Sequence, residues 1–224
     1  MLQITKTGLS ATNNDLLERL RDQFSINQSL RLSAFIDGSI VDQLTTSIDT
    51  AKFLDTNHLD SKKREFAKDF TIDGGEIATH MFHLVLNNAN LFKVIEQITD
   101  CPSIGGFSGR IYRSISNADH HLSWHDDNED PRRLIGISVN FSRDLFSGGV
   151  FQLREKKSKK ILTEIANTEL GSAMIFRVSS ELEHRITRIE GDKPRTAGAG
   201  WFSSVSDYLP SIKSRGAKNQ TAKN

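Results

Sequence analysis

LIGISVNFS at 134–142, GGVFQLRE at 148–155, KKILTEI at 159–165 and GSAMIFRV at 171–178 follow one another with only short polar or glycine-marked gaps between them. Each run is short, rich in β-branched and aromatic residues, and bounded by turn formers, which is how a strand reads in sequence. Working outward, GRIYRSI at 109–115 and HLSWHDD at 121–127 precede these runs, and HRITRIE at 184–190 and RTAGAGWFSS at 195–204 follow them. Short strands in such number and at this spacing predict a sandwich, barrel or jelly roll.

Upstream of Pro102 the period changes. Leu16, Leu17, Leu20 and Phe24 predict a helix over 13–24, with Thr12 or Asn13 as its N-cap. SLRLSAFI at 29–36 reads as a short strand. Asp37-Gly38 marks a turn, Ser39 with Asp42 is a capping-box variant, and Val41, Leu44, Ile48 and Ala51 share one helical face. Residues 54–75 are polar and show no clear period. Ile77, Met81, Leu84 and Val85 predict a further helix, and Leu91, Phe92, Val94, Ile95 and Ile98 another that ends before Pro102. The expected organisation is a helical support region over 1–103, a β core over 104–209 and a flexible basic tail over 210–224. Helices first and strands afterwards suggest helices that buttress a mainly β fold.

Composition narrows the function classes. The 224 residues carry 29 Lys and Arg against 28 Asp and Glu, a net charge of +1, so charge makes no case for a nucleic acid or a membrane surface as partner. A single cysteine, Cys101, excludes a disulfide scaffold and a thiolate zinc site. No run approaches the ~18 apolar residues of a membrane-spanning helix, and MLQITKTGLSATNND has no apolar core of a secretory signal. A soluble, reduced, cytoplasmic protein is expected.

The residues that point to chemistry are His125-Asp126-Asp127 and, further on, His184. Side chains alternate along a strand, so His125 and Asp127 are expected on one face and Asp126 on the other. Two imidazoles and one carboxylate can occupy one face of an octahedral metal and leave three positions open, the donor set of non-haem Fe(II) oxygenases. Taken alone, the same residues also read as an exposed polar turn within HDDNEDPRR. Ser147-Gly148-Gly149 then opens a strand, Leu170-Gly171-Ser172-Ala173-Met174-Ile175-Phe176 forms a second strand entry, His184 follows, and Arg195 stands eleven residues beyond it on the strand closed by Trp201-Phe202.

This order over residues 108–204 resembles the prolyl 4-hydroxylase-like branch of the 2-oxoglutarate- and Fe(II)-dependent dioxygenases. The resemblance implies a double-stranded β-helix, the cupin-like jelly roll. It implies His125, Asp127 and His184 as iron ligands and catalytic centre, and Arg195 as partner of the distal carboxylate of 2-oxoglutarate. A guanidinium suits that role, since it binds a carboxylate bidentately and stays charged in a closed pocket. Tyr112, on the strand before the His-x-Asp, and Asn140 are the further candidates for the cosubstrate pocket. The implied cofactors are Fe(II), 2-oxoglutarate and O2, with ascorbate as an optional reductant. The implied reaction hydroxylates an unactivated C–H bond of a peptidyl side chain or small molecule and releases succinate and CO2. Nucleic-acid demethylases of this superfamily carry an RxNxTxR-like strand where Arg195-Thr196-Ala197-Gly198 stands here, so no nucleic-acid partner is expected. The rival reading is a cupin-like metal and ligand binder, a sensor or store, which has no need of Arg195.

Other residues are expected to be structural. His80 and His83 lack a third ligand nearby and read as surface or half-buried histidines. Of His120 and His121, His121 is in step with His125 and is expected to be the one that faces the cavity. Trp124 and Asp126 are expected to support the strand from its other face, Cys101 to be a small buried or half-buried residue and not a nucleophile, and Lys156 to Lys160 to form a hairpin tip. Lys193, just before Pro194, is the competitor of Arg195.

Overall fold

The computed structural model describes residues 1–10 and 13–205. A small hairpin, β1 (Gln3–Thr5) and β2 (Gly8–Ser10), leads to helix α1 (Asn14–Asn27). Asn13 caps α1 by accepting the Leu16 N–H, and Gln28, at φ 54, closes it in the left-handed region. Strand β3 (Ser29–Leu32) and helix α2 (Gly38–Thr50) follow. The N-cap of α2 is Asp37, whose carboxylate accepts the Ser39 N–H, so Ser39 lies inside the helix and is not its cap. Strands β4 (Phe53–Leu59) and β5 (Glu65–Ile72) form a hairpin, and helices α3 (Ile77–Leu86) and α4 (Ala89–Thr99) complete the N-terminal part.

The strand-rich part comprises β6 (Gly106–Ser114), β7 (His121–His125), β8 (Arg133–Asn140), β9 (Ser147–Gly148), β10 (Phe151–Glu155) and β11 (Ile161–Ile165). It closes with β12 (Ala173–Arg177), β13 (Leu182–Ile186), β14 (Ile189–Glu190) and β15 (Arg195–Ser203). Strand neighbours run β11-β10-β13-β7-β5-β6-β15-β8-β12-β3, with β4 paired to β5 and a separate β9–β14 ladder. Every ladder among these strands is antiparallel. Strands far apart along this path meet through their side chains. The Phe151 ring on β10 lies 4.9 Å from that of Phe176 on β12. The sheet therefore curls over itself into a jelly roll, as the strand count predicted.

Two apolar clusters hold it. The larger joins Phe24, Leu44, Ile48, Phe82, Leu91 and Ile95 of the helices to Phe107, Ile111, Ile137, Val139, Ile175 and Phe202 on the sheet. The smaller, Phe151, Leu153, Met174, Phe176 and Leu182, lies inside the roll, where Phe151, Met174 and Phe176 line a cavity. Each fully buried Leu, Ile or Phe contributes about 1.5–3 kcal/mol by leaving water. The large cluster thus fixes the helices against one face and leaves the interior of the roll free for a site.

Three expectations are corrected here. Residues 54–75 are not a featureless loop but the β4–β5 hairpin. Its exposed outer strand alternates polar with polar, so it shows no hydrophobic period. The region 1–103 is therefore not purely helical: β3 pairs with β12 at one edge, and β5 sits between β7 and β6 in the middle of the sheet. On α3, Ile77 and Leu84 are exposed, and Ala78, Thr79, Phe82 and Leu86 form the buried face. The expected tail at 210–224 and the last part of the 104–209 core lie outside the described residues.

Candidate metal centre and cosubstrate pocket

Strand β13 lies beside β7, and the register pairs His184 with His125. The two rings stand 4.2 Å apart between centroids. Asp127 reaches both, with one carboxylate oxygen 3.5 Å from His125 Nε2 and the other 3.5 Å from His184 Nε2. Among the described residues these three form a metal-capable group, with all their donor atoms within 4.8 Å of one another. Asp127 and not Asp126 stands beside the two histidines, but strand alternation is not the cause. Strand β7 ends at His125, and Asp127 takes a left-handed backbone with φ 56. That turn swings its carboxylate back to the histidines; Asp is one of the residue types that tolerates it. Asp126 points the other way, onto Lys156, and accepts the Asn128 N–H.

The surroundings prepare each donor. His125 Nδ1 lies 2.7 Å from the Ser123 carbonyl, an acceptor only, so that nitrogen carries the proton and Nε2 keeps its lone pair. His184 is buried against Phe176 and Phe151, with ring centroids at 4.4 and 5.6 Å. Burial, reinforced by neighbouring His125, holds its pKa down at about 3, so its ring is neutral at any physiological pH and able to donate a lone pair. The Trp201 indole N–H donates to Asp127 Oδ2 at 2.8 Å, and the Arg133 guanidinium stacks 3.7 Å over the Trp201 ring.

A cavity of about 90 Å³ runs inward from these residues. Tyr112, Ser138 and Arg195 line it. Arg195 is only 1% exposed. It donates to Tyr112 Oη at 2.6 Å and to Ser138 Oγ at 3.2 Å, and its Nε has no hydrogen-bond partner. Both partners are neutral, and no carboxylate of the described residues forms an ion pair with it. A buried guanidinium without a counter-ion is costly, and a carboxylate entering the cavity would relieve it. Gly149, at φ 63, makes room for this side chain: a Cβ there would lie 2.9 Å from Arg195 Cδ and 2.8 Å from Ile189 Cδ1.

Placement of the other candidates is mixed. Lys193 is on the surface beside Asp144, away from the cavity. Asn140 is fully buried but does not line the cavity. Its amide donates to the Thr168 carbonyl and accepts the Ser142 N–H, which ties loops together. Ser138, two residues earlier and so on the same face of β8, takes the position expected of Asn140. His120 and His121 both line the cavity. His120 precedes β7 and escapes strand alternation; its Nδ1 accepts the Ile115 N–H. The Trp124 ring carries the guanidiniums of Arg154 and Arg185 at 3.7 and 4.7 Å from its centroid. His80 is exposed, and the half-buried His83 sits 2.7 Å from the Gly109 carbonyl through Nε2. Cys101 is half-buried, and burial raises its thiol pKa, which keeps it protonated.

The sequence reading passed over Trp201, Ser138, Phe66, Asp69, Arg110 and His58. Trp201 and Arg110 carried a signal: each is an even number of residues from an inward-facing neighbour on its own strand, Arg195 and Tyr112. Phe66, Asp69 and His58 lie on the unrecognised hairpin.

Residues 110–203 match the model of the 2OG-Fe(II) oxygenase superfamily. The matched segment, under half of the chain, is what it shares with that superfamily. It contains His125, Asp127 and His184 of the metal-capable group and Tyr112, Ser138 and Arg195 of the inner cavity. Among solved structures, the chain is similar to a prolyl-4-hydroxylase of Pseudomonas putida at 15% identity and TM-score 0.62, covering 85% of this chain and 100% of that one. It is also similar to a prolyl hydroxylase of Trichoplax adhaerens, solved in complex with a hypoxia inducible factor oxygen degradation domain peptide. That match has 14% identity, a TM-score of 0.60, and 85% and 90% coverage. The non-heme alpha ketoglutarate dependent epimerase SnoN of nogalamycin biosynthesis matches at 10% identity and TM-score 0.62, over 84% and 82%. At these identities the likeness is one of fold. No curated protein sequence matches the chain.

The residues fit the group this superfamily implies. Two neutral imidazoles and one carboxylate make a facial donor set for Fe(II). The unsatisfied Nε of Arg195 marks, at the inner end of the same cavity, a seat for an anion.

Proposed function

We propose that the protein is an Fe(II)- and 2-oxoglutarate-dependent dioxygenase that hydroxylates an unactivated C–H bond of a peptidyl side chain or small molecule. Succinate and CO2 are the coproducts. The observation that carries this reading is the pairing, in one cavity, of a His-Asp-His donor set with a buried guanidinium that lacks an anionic partner. A metal store or sensor of the same fold has no use for that guanidinium.

When bound, Fe(II) with 2-oxoglutarate and O2 supplies the oxidising power for the reaction. The chain's own residues do the rest. His125, Asp127 and His184 hold the metal from one side. Arg195 binds the distal carboxylate of the cosubstrate, and Tyr112 and Ser138 orient Arg195 by accepting from its Nη atoms. With its oxygen occupied by that bond, the Tyr112 hydroxyl hydrogen is available to the same carboxylate. The Trp201 N–H occupies one oxygen of Asp127 and leaves the other for the metal. Phe151, Phe176 and Ile186 line the cavity and exclude water from the reacting centre. A reducing, cytoplasmic setting, with ascorbate to keep the iron ferrous, suits this chemistry and the free thiol of Cys101. No helix of the described residues is long and apolar enough to cross a membrane.

The test is succinate release from 2-oxoglutarate by the iron-loaded protein under O2, screened over amino acids, peptides and metabolites. Succinate formation that needs Fe(II) and is lost in His184→Ala supports the reading. Tight metal binding with no consumption of 2-oxoglutarate under any condition would place the protein with the non-catalytic binders.

A further inference from the structure

The roll interior holds a second guanidinium that the proposed reaction leaves unassigned. Arg110 lies on β6 two residues before Tyr112 and therefore faces the same way. The Tyr112 ring is flanked by two cations, with Arg195 Cζ at 5.4 Å and Arg110 Cζ at 5.7 Å from its centroid. Arg195 lines the inner cavity and not the outer groove. Arg110 lines both that cavity and a wide groove of about 700 Å³ that opens outward past His125, Asp127 and Trp201. Its side chain is 34% exposed, so it stands at the seam between the two.

Arg110 is held in place from behind. One Nη donates to His58 Nδ1 at 2.8 Å and the other to Asp69 Oδ2 at 3.2 Å. His58 Nε2 in turn faces Asp69 Oδ1 at 3.2 Å, and the Thr71 hydroxyl donates to the same oxygen. Both His58 and Asp69 come from the β4–β5 hairpin. This clamp uses two of the five N–H groups of the guanidinium, and the rest remain for a ligand. A rigid, pre-oriented fork of this kind is suited to a carboxylate. Next to it, Phe66 packs on His125 with ring centroids at 4.8 Å and on His58 at 6.3 Å. One phenyl ring thus separates the metal-facing histidine from the Arg110 clamp, and Trp201 forms the wall nearest Asp127.

We propose that Arg110 is a substrate-recognition residue, and that the primary substrate is an organic acid. Its carboxylate pairs with Arg110 while its reacting, apolar segment passes over Phe66 toward His125 and Asp127. This rests on the dioxygenase reading above and adds the substrate class.

The experiment uses the full chain loaded with Fe(II) and matched probe pairs, N-acetyl amino acids and their C-terminal amides. Succinate release and binding, followed by tryptophan fluorescence, are measured for the wild type, Arg110→Gln, Arg110→Lys and the double variant Arg110→Gln with Asp69→Asn. The double variant removes both charges of the pair together, so it leaves no uncompensated charge on the buried Asp69 and guards against misfolding. Expected is at least one pair in which the acid is preferred over its amide by tenfold or more. Arg110→Gln and the double variant erase that preference, Arg110→Lys keeps part of it, and the KM for 2-oxoglutarate stays within threefold throughout. The proposal is overturned if no pair shows an acid preference, or if the variants weaken acids and amides equally, which marks a structural role. A tenfold rise in the 2-oxoglutarate KM also overturns it, by placing Arg110 on the cosubstrate. Failure of the wild type to form succinate with or without any probe would instead count against the dioxygenase reading itself.

Discussion

Replacement of Arg195 by Met separates a ligand-binding role from a structural one, because the two predict opposite signs. In the absence of ligand, Arg195 is a nearly fully buried cation whose two partners are neutral hydroxyls and whose Nε is unpaired. Exchanging a buried, poorly compensated charge for an apolar side chain of similar length is neutral or stabilising, by up to about 1–4 kcal/mol. The unliganded variant is therefore expected to melt at or above the wild-type temperature. With 2-oxoglutarate the order reverses. Truncating one partner of a desolvated charge pair costs about 2–5 kcal/mol, or roughly 30- to several-thousand-fold in affinity. Ligand at about 100 times its Kd stabilises the wild type by about 2.7 kcal/mol through mass action. At the same concentration the variant should show almost none of this. Thermal melts of both proteins, loaded with a redox-inert divalent metal and titrated with 2-oxoglutarate, read out both effects, and the KM for 2-oxoglutarate provides the kinetic counterpart. An unliganded Arg195→Met that melts well below the wild type, or a KM change under threefold, would refute the reasoning.

Four shorter predictions follow from the same geometry. Asp127→Ala should abolish metal binding in an equilibrium titration, whereas Asp126→Ala should retain it, since Asp126 bonds only Lys156 and the Asn128 amide. Gly149→Ala should raise the KM for 2-oxoglutarate more than it alters metal affinity, because its Cβ would press on Arg195 Cδ and Ile189; equal loss of both would point to general misfolding. His184 titrates at about 3 in the fold against about 6.5 when unfolded, so the unfolded chain binds the extra proton between those values. Stability of the metal-free protein should therefore fall as pH drops below about 6.5, and melts of His184→Gln should lack that share of the slope. Because the proposed donor set includes the Asp127 carboxylate, the product should carry one added oxygen or lack two hydrogens and contain no chlorine; a chlorine isotope pattern in its mass spectrum would contradict this.

Much of the site was legible from residue order. His125, Asp127, His184 and Arg195 stand in a spacing that a jelly roll brings together, and the glycine turn at 148–149 announced the strand that faces them. The strands themselves were visible because a half-buried sheet imposes alternation on its residues. The β4–β5 hairpin was not, because its outer strand is paired on one side only and largely solvated, so nothing forced an apolar period onto it. Its residues Phe66, Asp69 and His58 could not be assigned to the site while it was unseen.

By itself, then, the sequence determined the class of fold, because strand period is a local property, and its motif order, through a family resemblance, pointed to His125, Asp127, His184 and Arg195 as candidate site residues. Only the tertiary structure decided the rest. It showed that Asp127 reaches the histidines through a left-handed turn and not along a strand. It showed that Ser138 and not Asn140 faces the pocket, a choice made by which polar groups the neighbouring loops need satisfied. It also brought Arg110, Asp69 and His58 from three strands to the mouth of the site. Such meetings depend on sheet register and curvature, which arise from packing across the whole chain and leave no mark on any single stretch of it.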